Sequence, residues 1–412
     1  MSDKPTPVGG KLLTRPYQVL LTLFAVAAVL ILVRFVKGLG AVTALNDGYP
    51  WGLWIAYDVL VGAALATGGY AMALIVYIMN RGRYHALVRP ALVTSALGYS
   101  IAGFSVVIDI GRWWNVWQVP ILWRRYNLDS ILLEVALCIM AYTVVLWIEL
   151  SPAFLERWSE SRIGWLRNFS RATRPKLEKT LIWLIALGLV LPTMHQSSLG
   201  SLFLIAESKL HPLWHTPWLP LLFLVSCVGM GYAAVVMESS ISSRLLHRKP
   251  ETRMLGLLGI AAAITSVVYL LVRFADLAYR GRLGLTVSEG WLSLLFWAEI
   301  ALFAMPVAML AGRRSRGRLG NLFRVALLLA LGGGLYRFST SLIAFDPGNG
   351  WTYFPSVAEI LITTGLVAFE VLAYIFFIKR FPILAGERAA RPVEMPVPAP
   401  RPGTIPVAAP AK

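Results

Sequence analysis

Acidic side chains within long apolar runs are the residues of this sequence best placed to do chemistry. A charged side chain in hydrocarbon costs at least about 2.5–3.5 kcal/mol, so it persists where it faces protein or water. Carboxyl groups held in such places can take up and release protons. The acids within these runs or at their ends are Asp58, Asp109, Glu134, Glu299, Glu359 and Glu370. Glu149 and Glu238 lie nearer the ends of their runs and could simply be solvated.

The alternative for each acid is a structural role, as a hydrogen-bond acceptor or as half of an ion pair between helices. Local spacing predicts two acid–base pairs, Asp109 with Arg112 and Arg273 with Asp276. Glu359 and Glu370 are close to three helical turns apart, so both should face one direction at a separation of about 16 Å. That geometry suits a proton relay. Arg337, in the preceding run, is a predicted partner for one of these two acids.

Histidine is scarce, which limits the redox chemistry that this chain can support. The five histidines are His85, His195, His211, His215 and His247. A b-type haem in a helix bundle usually needs two histidines that face each other within the membrane. None of the five falls in the middle of an apolar run, and His195 lies at the end of one, as a hydrogen-bond or proton donor near the outer surface. With two cysteines and no CxxC motif, the sequence predicts neither a haem nor an iron–sulfur cluster in this chain.

Membrane helices must position these acids, and the composition predicts them. The chain of 412 residues is 57% hydrophobic and 14% charged. Because a spanning segment must satisfy its own backbone hydrogen bonds, long apolar runs favour helices over strands. The ten predicted spans lie at about 17–36, 53–79, 86–110, 130–149, 178–194, 217–239, 254–276, 289–311, 322–344 and 355–378. The predicted fold class is therefore an all-α integral membrane protein of about ten transmembrane helices. The fifth span is short, and Pro192 within it hints at a broken helix.

The distribution of basic residues predicts how the chain crosses the membrane. Most of the 38 Lys and Arg residues lie on one side, in the N-terminal segment, in alternate loops and after the last span. Basic residues mark the cytoplasmic side, so both termini are expected there, and the net charge of +17 needs no nucleic-acid partner. The predicted domains are a cytoplasmic N-terminus at 1–16, a transmembrane domain at 17–380 and a disordered Pro- and Ala-rich cytoplasmic tail at 381–412. The first span is expected to remain uncleaved rather than to act as a signal peptide.

Tryptophans gather in the loops that are expected on the outer side. They are Trp113, Trp114, Trp117, Trp123, Trp214, Trp218 and Trp351. An aromatic belt at the membrane interface and a docking surface for an outer partner are both consistent with this pattern. The second half of the chain also echoes the first, because in each half an acid at an outer span end is followed by an acid in the next span. This hints at two related four-helix halves.

Several sequence blocks together resemble the NrfD/polysulfide-reductase family of membrane subunits. They are Gly48–Asp58, Asn80–His85 with Val88–Ala91, Gly98–Ser100 through Ile108–Trp114, Leu191–Ser198 with His211–Trp214, and Ala344–Pro347 with Tyr353–Pro355. The resemblance covers nearly the whole chain except the tail. Within the family, the blocks are most similar to the membrane subunits of periplasm-facing nickel–iron hydrogenases, which are often labelled b-type cytochromes.

The resemblance implies two four-helix bundles, at roughly 50–195 and 217–344, flanked by helices at 17–36 and 355–378. It implies no haem despite the label, and an outward-facing site for menaquinone or ubiquinone. By motif match, that site would lie at or near Asp58, Tyr99, Asp109, Arg112 and His195. The predicted quinone-binding residues are Asp58, Asp109, Arg112, Trp113 and His195. The predicted proton-transfer residues are Tyr99, Glu134, Glu238, Glu299 and Glu359, of which Glu299 and Glu359 rest mainly on their depth.

The resulting hypothesis is a quinone-reactive subunit of an oxidoreductase complex in a bacterial inner membrane. Its implied partners are membrane lipid, a periplasmic ferredoxin-like subunit that carries iron–sulfur clusters, and the small and large subunits of a hydrogenase. Acids at lower depth would supply protons from the cytoplasm. The alternatives are a membrane subunit of another NrfD-type oxidoreductase, a proton-coupled secondary transporter, a haem b cytochrome and a purely structural anchor.

Overall fold

Ten long helices form the membrane domain in the computed structural model, which describes residues 5–206, 208–312 and 315–384 apart from the side chain of Arg83. They are α1 (Arg15–Lys37), α2 (Trp54–Ile78), α3 (His85–Asp109), α4 (Ile131–Ser159), α5 (Gly164–Leu204), α6 (Leu219–Leu245), α7 (Thr252–Tyr279), α8 (Trp291–Ala311), α9 (Leu319–Ile343) and α10 (Val357–Arg380). All ten are long and apolar enough to cross a bilayer. The predicted all-α class and the predicted number of spans are confirmed.

Helix α5 departs most from its predicted span. It is 41 residues long and continues without a break through Pro175 and Pro192. The prediction of a short fifth span is therefore wrong, and Pro192 does not break the helix. Hydropathy marks only the part of a helix that suits lipid, whereas α5 begins in the basic segment before that part and continues past it. A proline can be accommodated within a membrane helix because neighbouring groups satisfy the freed carbonyl.

The interrupted helix is α2. It winds as a π-helix over Trp54–Gly62 and again over Leu74–Ile78. Between these stretches, the helix is interrupted by a turn at Ala66 and Thr67. Such breaks are tolerated at membrane depth where protein groups satisfy the backbone.

A neighbouring helix closes the interruption in α2. The Thr67 hydroxyl oxygen lies 2.6 Å from the carbonyl oxygen of Ala64 and 3.0 Å from that of Cys227 in α6. Gly231 permits this approach, because a Cβ at that position would lie 2.8 Å from the Thr67 hydroxyl oxygen. Helices α2 and α6 therefore meet almost backbone to backbone.

Packing between the helices follows chain order within each half. Helix α3 packs on α2 and α4, and α4 packs on α5; in the second half α6 packs on α7 and α9, and α8 packs on α7 and α9. Contacts of α2 with α6 and α9, and of α5 with α6, join the halves. Helices α1 and α10 pack against each other, and α10 also contacts α3 and α2.

The two ends of the helix bundle differ in their connections. At one end, which we call the termini end, the Val8 N–H donates to the carbonyl oxygen of Ile378 at 2.9 Å. The opposite end, the loop end, carries the longer connections, where an isolated antiparallel bridge joins Leu210 and Phe345. The shorter helical turns are Leu39–Ala41, Gly82–Tyr84, Trp113–Asn115, Gln118–Ile121, Trp123–Arg125, Leu285–Ser288 and Ser315–Gly317. Most of the predicted disordered tail, from residue 385 onward, lies outside the described residues.

Candidate functional site

Polar side chains line one face of α10. Glu359, Thr363, Glu370 and Tyr374 are spaced four, seven and four residues apart, which places them on one side of a helix. At 1.5 Å per residue they extend over about 22 Å of the helix axis. That is most of the roughly 30 Å hydrocarbon core of a bilayer. We call these four residues the α10 stripe.

Glu359 lies at the loop end of the α10 stripe and is fully buried in the first turn of its helix. Its carboxylate accepts hydrogen bonds from the Tyr353 hydroxyl at 2.6 Å, the Ser356 N–H at 2.8 Å and the Ala44 N–H at 2.9 Å. The Ser356 hydroxyl accepts from the Glu359 N–H in return, which completes a capping box. Burial, followed by the Glu359 carboxylate, raises the pKa of Tyr353 above its ordinary value. Glu359 therefore fastens the loop after α1 to α10.

Arg34, a buried arginine of α1, accompanies Asp109 at the loop end. Its Nη2 donates to the carbonyl oxygen of Ile110 at 2.6 Å, and its Nε donates to that of Ile108. The charges of Arg34 and Glu359 both act on Asp109. Oδ1 of Asp109 is buried and has no hydrogen-bond partner among the described residues. This carboxylate oxygen is therefore available to a ligand or a proton.

Arg112 does not pair with Asp109 as predicted. It is exposed, and the described part of the chain shows no ion pair between the two. Helix α3 ends at Asp109, and Ile110 is extended with φ −65° and ψ 123°. The helical spacing that would bring Arg112 alongside is therefore lost. Trp113 instead packs on Phe35 of α1, with ring centroids 4.9 Å apart.

Asp58 and Glu370 lie deeper, between the two ends of the bundle. The Thr363 hydroxyl donates to the buried Asp58 Oδ2 at 3.3 Å. The charges of Asp58 and Glu370 act on each other. Gly98 of α3 leaves room for Glu370, since a Cβ there would lie 3.3 Å from Glu370 Oε1. Asp58 thereby continues the α10 stripe across to α2.

A cavity of about 560 Å³ lies at the termini end of the α10 stripe. The Tyr374 hydroxyl donates to the Glu238 carboxylate of α6, and both Glu238 and Glu370 line this cavity. The rest of its lining is mostly apolar, with Ile241 and Ile378 among the residues. Glu238 is therefore directed into a cavity between helices rather than simply solvated. A line of protonatable groups thus leads from this cavity towards the loop end.

His195 is fully buried inside α5, because that helix continues to Leu204, so its predicted position at a span end is wrong. Its Nδ1 lies 3.1 Å from the carbonyl oxygen of Leu191, and its Nε2 lies 3.0 Å both from the Tyr99 hydroxyl and from the Gln196 amide nitrogen. A carbonyl oxygen only accepts, so Nδ1 carries the proton, and an amide nitrogen only donates, so Nε2 is the acceptor for Gln196 and for the Tyr99 hydroxyl. The imidazole is therefore neutral in this arrangement.

The structure does not bring His195 and Asp109 into one site. Tyr99, the partner of His195, lies ten residues before Asp109 on α3, which is about 15 Å along the helix axis. The Tyr99 ring also meets that of Tyr142 edge to face, with centroids 4.6 Å apart. The predicted quinone-binding residues thus divide into a loop-end group and a deeper group around His195.

Arg337 of α9 contacts no acid of α10, contrary to the prediction. Its Nη1 donates to the Ser226 hydroxyl at 3.1 Å, and its Nη2 donates to the carbonyl oxygen of Phe223 at 3.2 Å and to Gln196 Oε1 at 3.4 Å. It is fully buried, and its guanidinium lies over the Phe223 ring. Side-chain spacing within one helix could not indicate which neighbouring helix this arginine faces. Through Gln196 it connects the His195 group to the second half.

Glu299 anchors a separate buried group in the second half. Its carboxylate accepts from the Tyr269 hydroxyl at 2.7 Å and from the Trp214 indole N–H at 2.9 Å. Arg273 Nη2 lies 4.0 Å from Glu299 Oε1. Asp276 pairs with Arg280 rather than with Arg273, so the predicted Arg273–Asp276 pair is wrong. Trp214 is likewise not a surface residue, since it is fully buried.

Glu134 lies in the first turn of α4, half-buried, at the loop end. It accepts a hydrogen bond from the Ser198 hydroxyl of α5 at 2.8 Å. Ser198 follows His195 by one helical turn, which places Glu134 on the loop side of the His195 group. No cluster of three or more His, Cys, Asp or Glu side chains suited to a metal ion occurs within residues 5–206, 208–312 and 315–384.

Sequence reasoning missed several members of these groups. Arg34 was visible as a charge inside an apolar run, so the cost of a membrane charge could have singled it out. Tyr353, Tyr374 and Thr363 carry no comparable signal, because a hydroxyl in or beside a span is common. Their roles become apparent only once the neighbouring helices are known.

Known proteins are similar to this chain over most of its length. Residues 41–343 match the model of the protein family described as "Polysulphide reductase, NrfD". A protein of Escherichia coli named "Probable Ni/Fe-hydrogenase 2 b-type cytochrome subunit" is 41% identical over 93% of this chain and 96% of its own length. A Nitratidesulfovibrio vulgaris protein named "Menaquinone reductase, integral membrane subunit" is 28% identical over 85% of this chain and 87% of its own length.

The prediction that this chain carries no haem is contradicted by the Escherichia coli relative, whose name describes a b-type cytochrome. The premise of that prediction fails as well, since His195 is buried within a membrane helix. A haem iron needs a free ligand atom from the protein. Both ring nitrogens of His195 already have hydrogen-bond partners, so this residue does not fit iron ligation as it stands.

Proposed function

Since the chain belongs to the NrfD polysulphide reductase family, as its sequence predicted, we propose that it is the quinone-reactive membrane subunit of a respiratory nickel–iron hydrogenase complex in a bacterial inner membrane. The relationship to the hydrogenase 2 subunit of Escherichia coli supports the hydrogenase partner. The relationship to a menaquinone reductase subunit supports a quinone, either menaquinone or ubiquinone, as the electron acceptor.

In this proposal the termini end faces the cytoplasm and the loop end faces the periplasm, with two four-helix bundles between them. A ferredoxin-like subunit carrying iron–sulfur clusters docks at the loop end and receives electrons from the small and large hydrogenase subunits. Exposed aromatic side chains at that end, including Trp114, Trp117 and Trp351, suit such a contact. Lipid surrounds the remaining apolar faces.

The observation that carries this proposal is the buried Asp109 Oδ1, which has no hydrogen-bond partner in the part of the chain that the structure describes, beside the charge of Arg34. A quinone that gains two electrons must also gain two protons. Charge develops on its carbonyl oxygens during this reduction, and hydrogen-bond donors or cations fixed beside them stabilise that charge. Arg34 supplies the cation, and protonated Asp109 can donate a proton. Trp113, on the surface of the same end, provides an aromatic wall.

Protons reach this site along the α10 stripe in our proposal. The route begins at the termini-end cavity with Glu238 and Glu370 and continues through Asp58 and Thr363. Carboxyl and hydroxyl groups can pass protons when they lie within hydrogen-bond reach or one water apart. Because electrons enter at one end and protons at the other, quinone reduction by this route contributes to the proton gradient. The Tyr99–His195 group and Glu134 form a second protonatable group in the first half.

Replacing Asp109 with Asn in the purified complex tests the proposal. Hydrogen-dependent quinone reduction should fall by about 10²-fold, the lower range for a lost proton donor, while hydrogen-dependent reduction of a soluble dye stays unchanged. The matched control is Asp129→Asn, an exposed acid of the same end, which should leave both activities unchanged. Full quinone activity in the Asp109 variant would refute the site. Purification of the native chain with a reductase that lacks hydrogenase subunits would assign it to another oxidoreductase.

A further inference from the structure

Glu149 of α4 is an acid that the proposed route does not use. Because Glu149 lies near the end of an apolar run, the sequence allowed it to be simply exposed to water. It instead lines a partly open cavity of about 240 Å³ between α2, α3, α4 and α5. The protonatable or charged residues that share this cavity are Tyr77 of α2 and His85 and Arg89 of α3. The part of α5 that lines it is apolar, with Leu181 and Ile185.

Gly188 of α5 makes room for the Glu149 carboxylate. A Cβ at position 188 would lie 2.8 Å from Glu149 Oε1 and 3.5 Å from its Oε2. The carboxylate therefore rests directly on the α5 backbone, inside the first half of the bundle. Because the carboxylate ends a flexible side chain, it could move aside if a methyl group were added there.

No cation neutralises Glu149 within the described residues. Arg89, the arginine that shares its cavity, is held by Glu156, to which its Nη1 and Nη2 donate at 2.8 and 2.6 Å. Arg89 Nη1 also donates to the carbonyl oxygen of Pro382 at 3.0 Å. The described ion pairs do not include Glu149. A carboxyl group in this setting exchanges its charge with a proton more readily than one fixed by an arginine.

Protonatable side chains lead from Glu149 towards His195. The charge of Glu149 acts on Tyr142, which lies two helical turns away on the same face of α4. Tyr142 packs edge to face on Tyr99, whose hydroxyl donates to His195. The hydroxyls of Tyr70 in α2 and Thr193 in α5 lie 2.9 Å apart. The cavity of about 240 Å³ has a mostly apolar lining, and Glu149, Tyr77, His85 and Arg89 are its polar members. It has room for several waters beside these groups, which would bridge the first step.

We propose that Glu149 and its cavity form a second proton-binding site, which takes protons from the termini side and passes them to the Tyr99–His195 group. The inference rests on the proposed function, since a proton acceptor at the loop end draws the protons. It assigns Glu149 a role separate from the α10 stripe. A proton from the medium on the termini side reaches the cavity through its water, binds the Glu149 carboxylate and then leaves towards Tyr142 and Tyr99. The step moves a proton and no electron.

Carbodiimide labelling tests the site without relying on turnover. The probe is dicyclohexylcarbodiimide, an apolar reagent that adds to protonated carboxyl groups, applied to the intact complex in membranes. Mass spectrometry should find the adduct on Glu149, and the labelled fraction should fall as the pH of the medium rises. Absence of the adduct at every pH, or labelling that does not change with pH, would overturn the proposal.

Activity measurements separate proton transfer from a structural role. Glu149→Gln should lower hydrogen-dependent quinone reduction by about 10²-fold with dye reduction unchanged, and Glu149→Asp should restore part of it with a shifted pH profile. Gly188→Ala, which displaces the carboxylate, should lower the activity less. Gly103→Ala is the matched control, since the nearest atom to its Cβ would be 4.0 Å away. Wild-type quinone activity in the Gln variant, or an Asp variant as inactive as Gln with an unchanged pH profile, would refute the role. A wild-type complex without hydrogen-dependent quinone reduction would refute the proposed function. The carbodiimide labelling would still show whether Glu149 binds a proton.

Discussion

Replacing Arg273 with Met should destabilise the membrane domain more than the removal of its packing alone would explain. Arg273 and Glu299 are both fully buried, with Nη2 and Oε1 4.0 Å apart. The Arg273 guanidinium lies 5.6 Å from the centre of the Phe296 ring and 5.8 Å from that of Tyr336. None of its three nitrogens has a hydrogen-bond partner among the described residues. Its stabilisation therefore depends on the charge of Glu299 and on these two rings.

The expected size of this effect follows from removing one member of a buried ion pair. Arg273→Met leaves the Glu299 carboxylate in the interior with two neutral donors and no cation. Such a change costs about 3–5 kcal/mol, which lowers the folding equilibrium constant by roughly 10²–10⁴-fold. Glu299→Gln should cost a comparable amount, because it leaves the guanidinium without its counter-charge. The double variant carries neither charge, so its cost should fall below the sum of the two by about 0.5–3 kcal/mol.

The assay is unfolding of the detergent-purified protein in mixed micelles, followed by circular dichroism as the fraction of sodium dodecyl sulfate increases. The exposed pair Arg174–Glu178, with Nε and Oε1 3.0 Å apart, gives the control cycle with the same substitutions. Its coupling should be about 0.5 kcal/mol or less. Additive costs for Arg273→Met and Glu299→Gln would refute the ion pair, and so would a loss below about 1 kcal/mol in either single variant.

Two further substitutions follow from the loop-end and helix contacts. Gly200→Ala should prevent accumulation of the folded protein, because its Cβ would lie 2.5 Å from the carbonyl oxygen of Leu219, a backbone atom that cannot swing away; membrane levels would be compared with Gly103→Ala, and normal accumulation would contradict the packing. Tyr353→Phe should leave the phenolate absorbance of the protein unchanged up to about pH 10, because burial and Glu359 raise the pKa of Tyr353 and keep it protonated there. Its contribution to stability is then present below that pH and lost only above it. An ultraviolet pH titration of wild type and variant checks this, and a difference between them below pH 9 would contradict it.

Hydropathy predicted the helices well because membrane insertion acts on the whole segment. Ten spans were expected and ten are present, and the predicted acids Asp58, Glu299 and Glu359 are indeed buried. The cost of a charge in hydrocarbon is a property of one residue in one helix, so a single sequence reports it. The ends of α5 were missed because the helix begins in a basic segment and continues beyond the predicted span into a buried stretch rich in polar residues, 195–204, where hydropathy gives a weaker signal.

Pairings between helices could not be predicted in the same way. Arg112 and Asp276 were assigned partners from spacing along one helix, whereas the structure places Arg34 of α1 beside Asp109 and Arg280 beside Asp276. Which faces of two helices meet depends on the packing of the whole bundle. The same reason explains why His195 was predicted to lie with Asp109. Its contacts are instead with Tyr99 and Gln196, further from the loop end than Asp109. The sequence of each single helix could indicate only that its acids face the interior of the bundle, and not which helix they meet there.

The meeting of α2 and α6 restricts how this domain can move. The Thr67 hydroxyl contacts the backbones of both helices, and Gly231 places no side chain between them. Sliding one half past the other would break the contact between the Thr67 hydroxyl and the Cys227 carbonyl and would separate two closely packed backbones. Rocking of the two halves, as in a secondary transporter, would meet this resistance at every cycle. The domain is therefore suited to act as a fixed frame. In the function proposed above, protons would cross it by rotation of hydroxyl and carboxyl groups and by exchange of single waters.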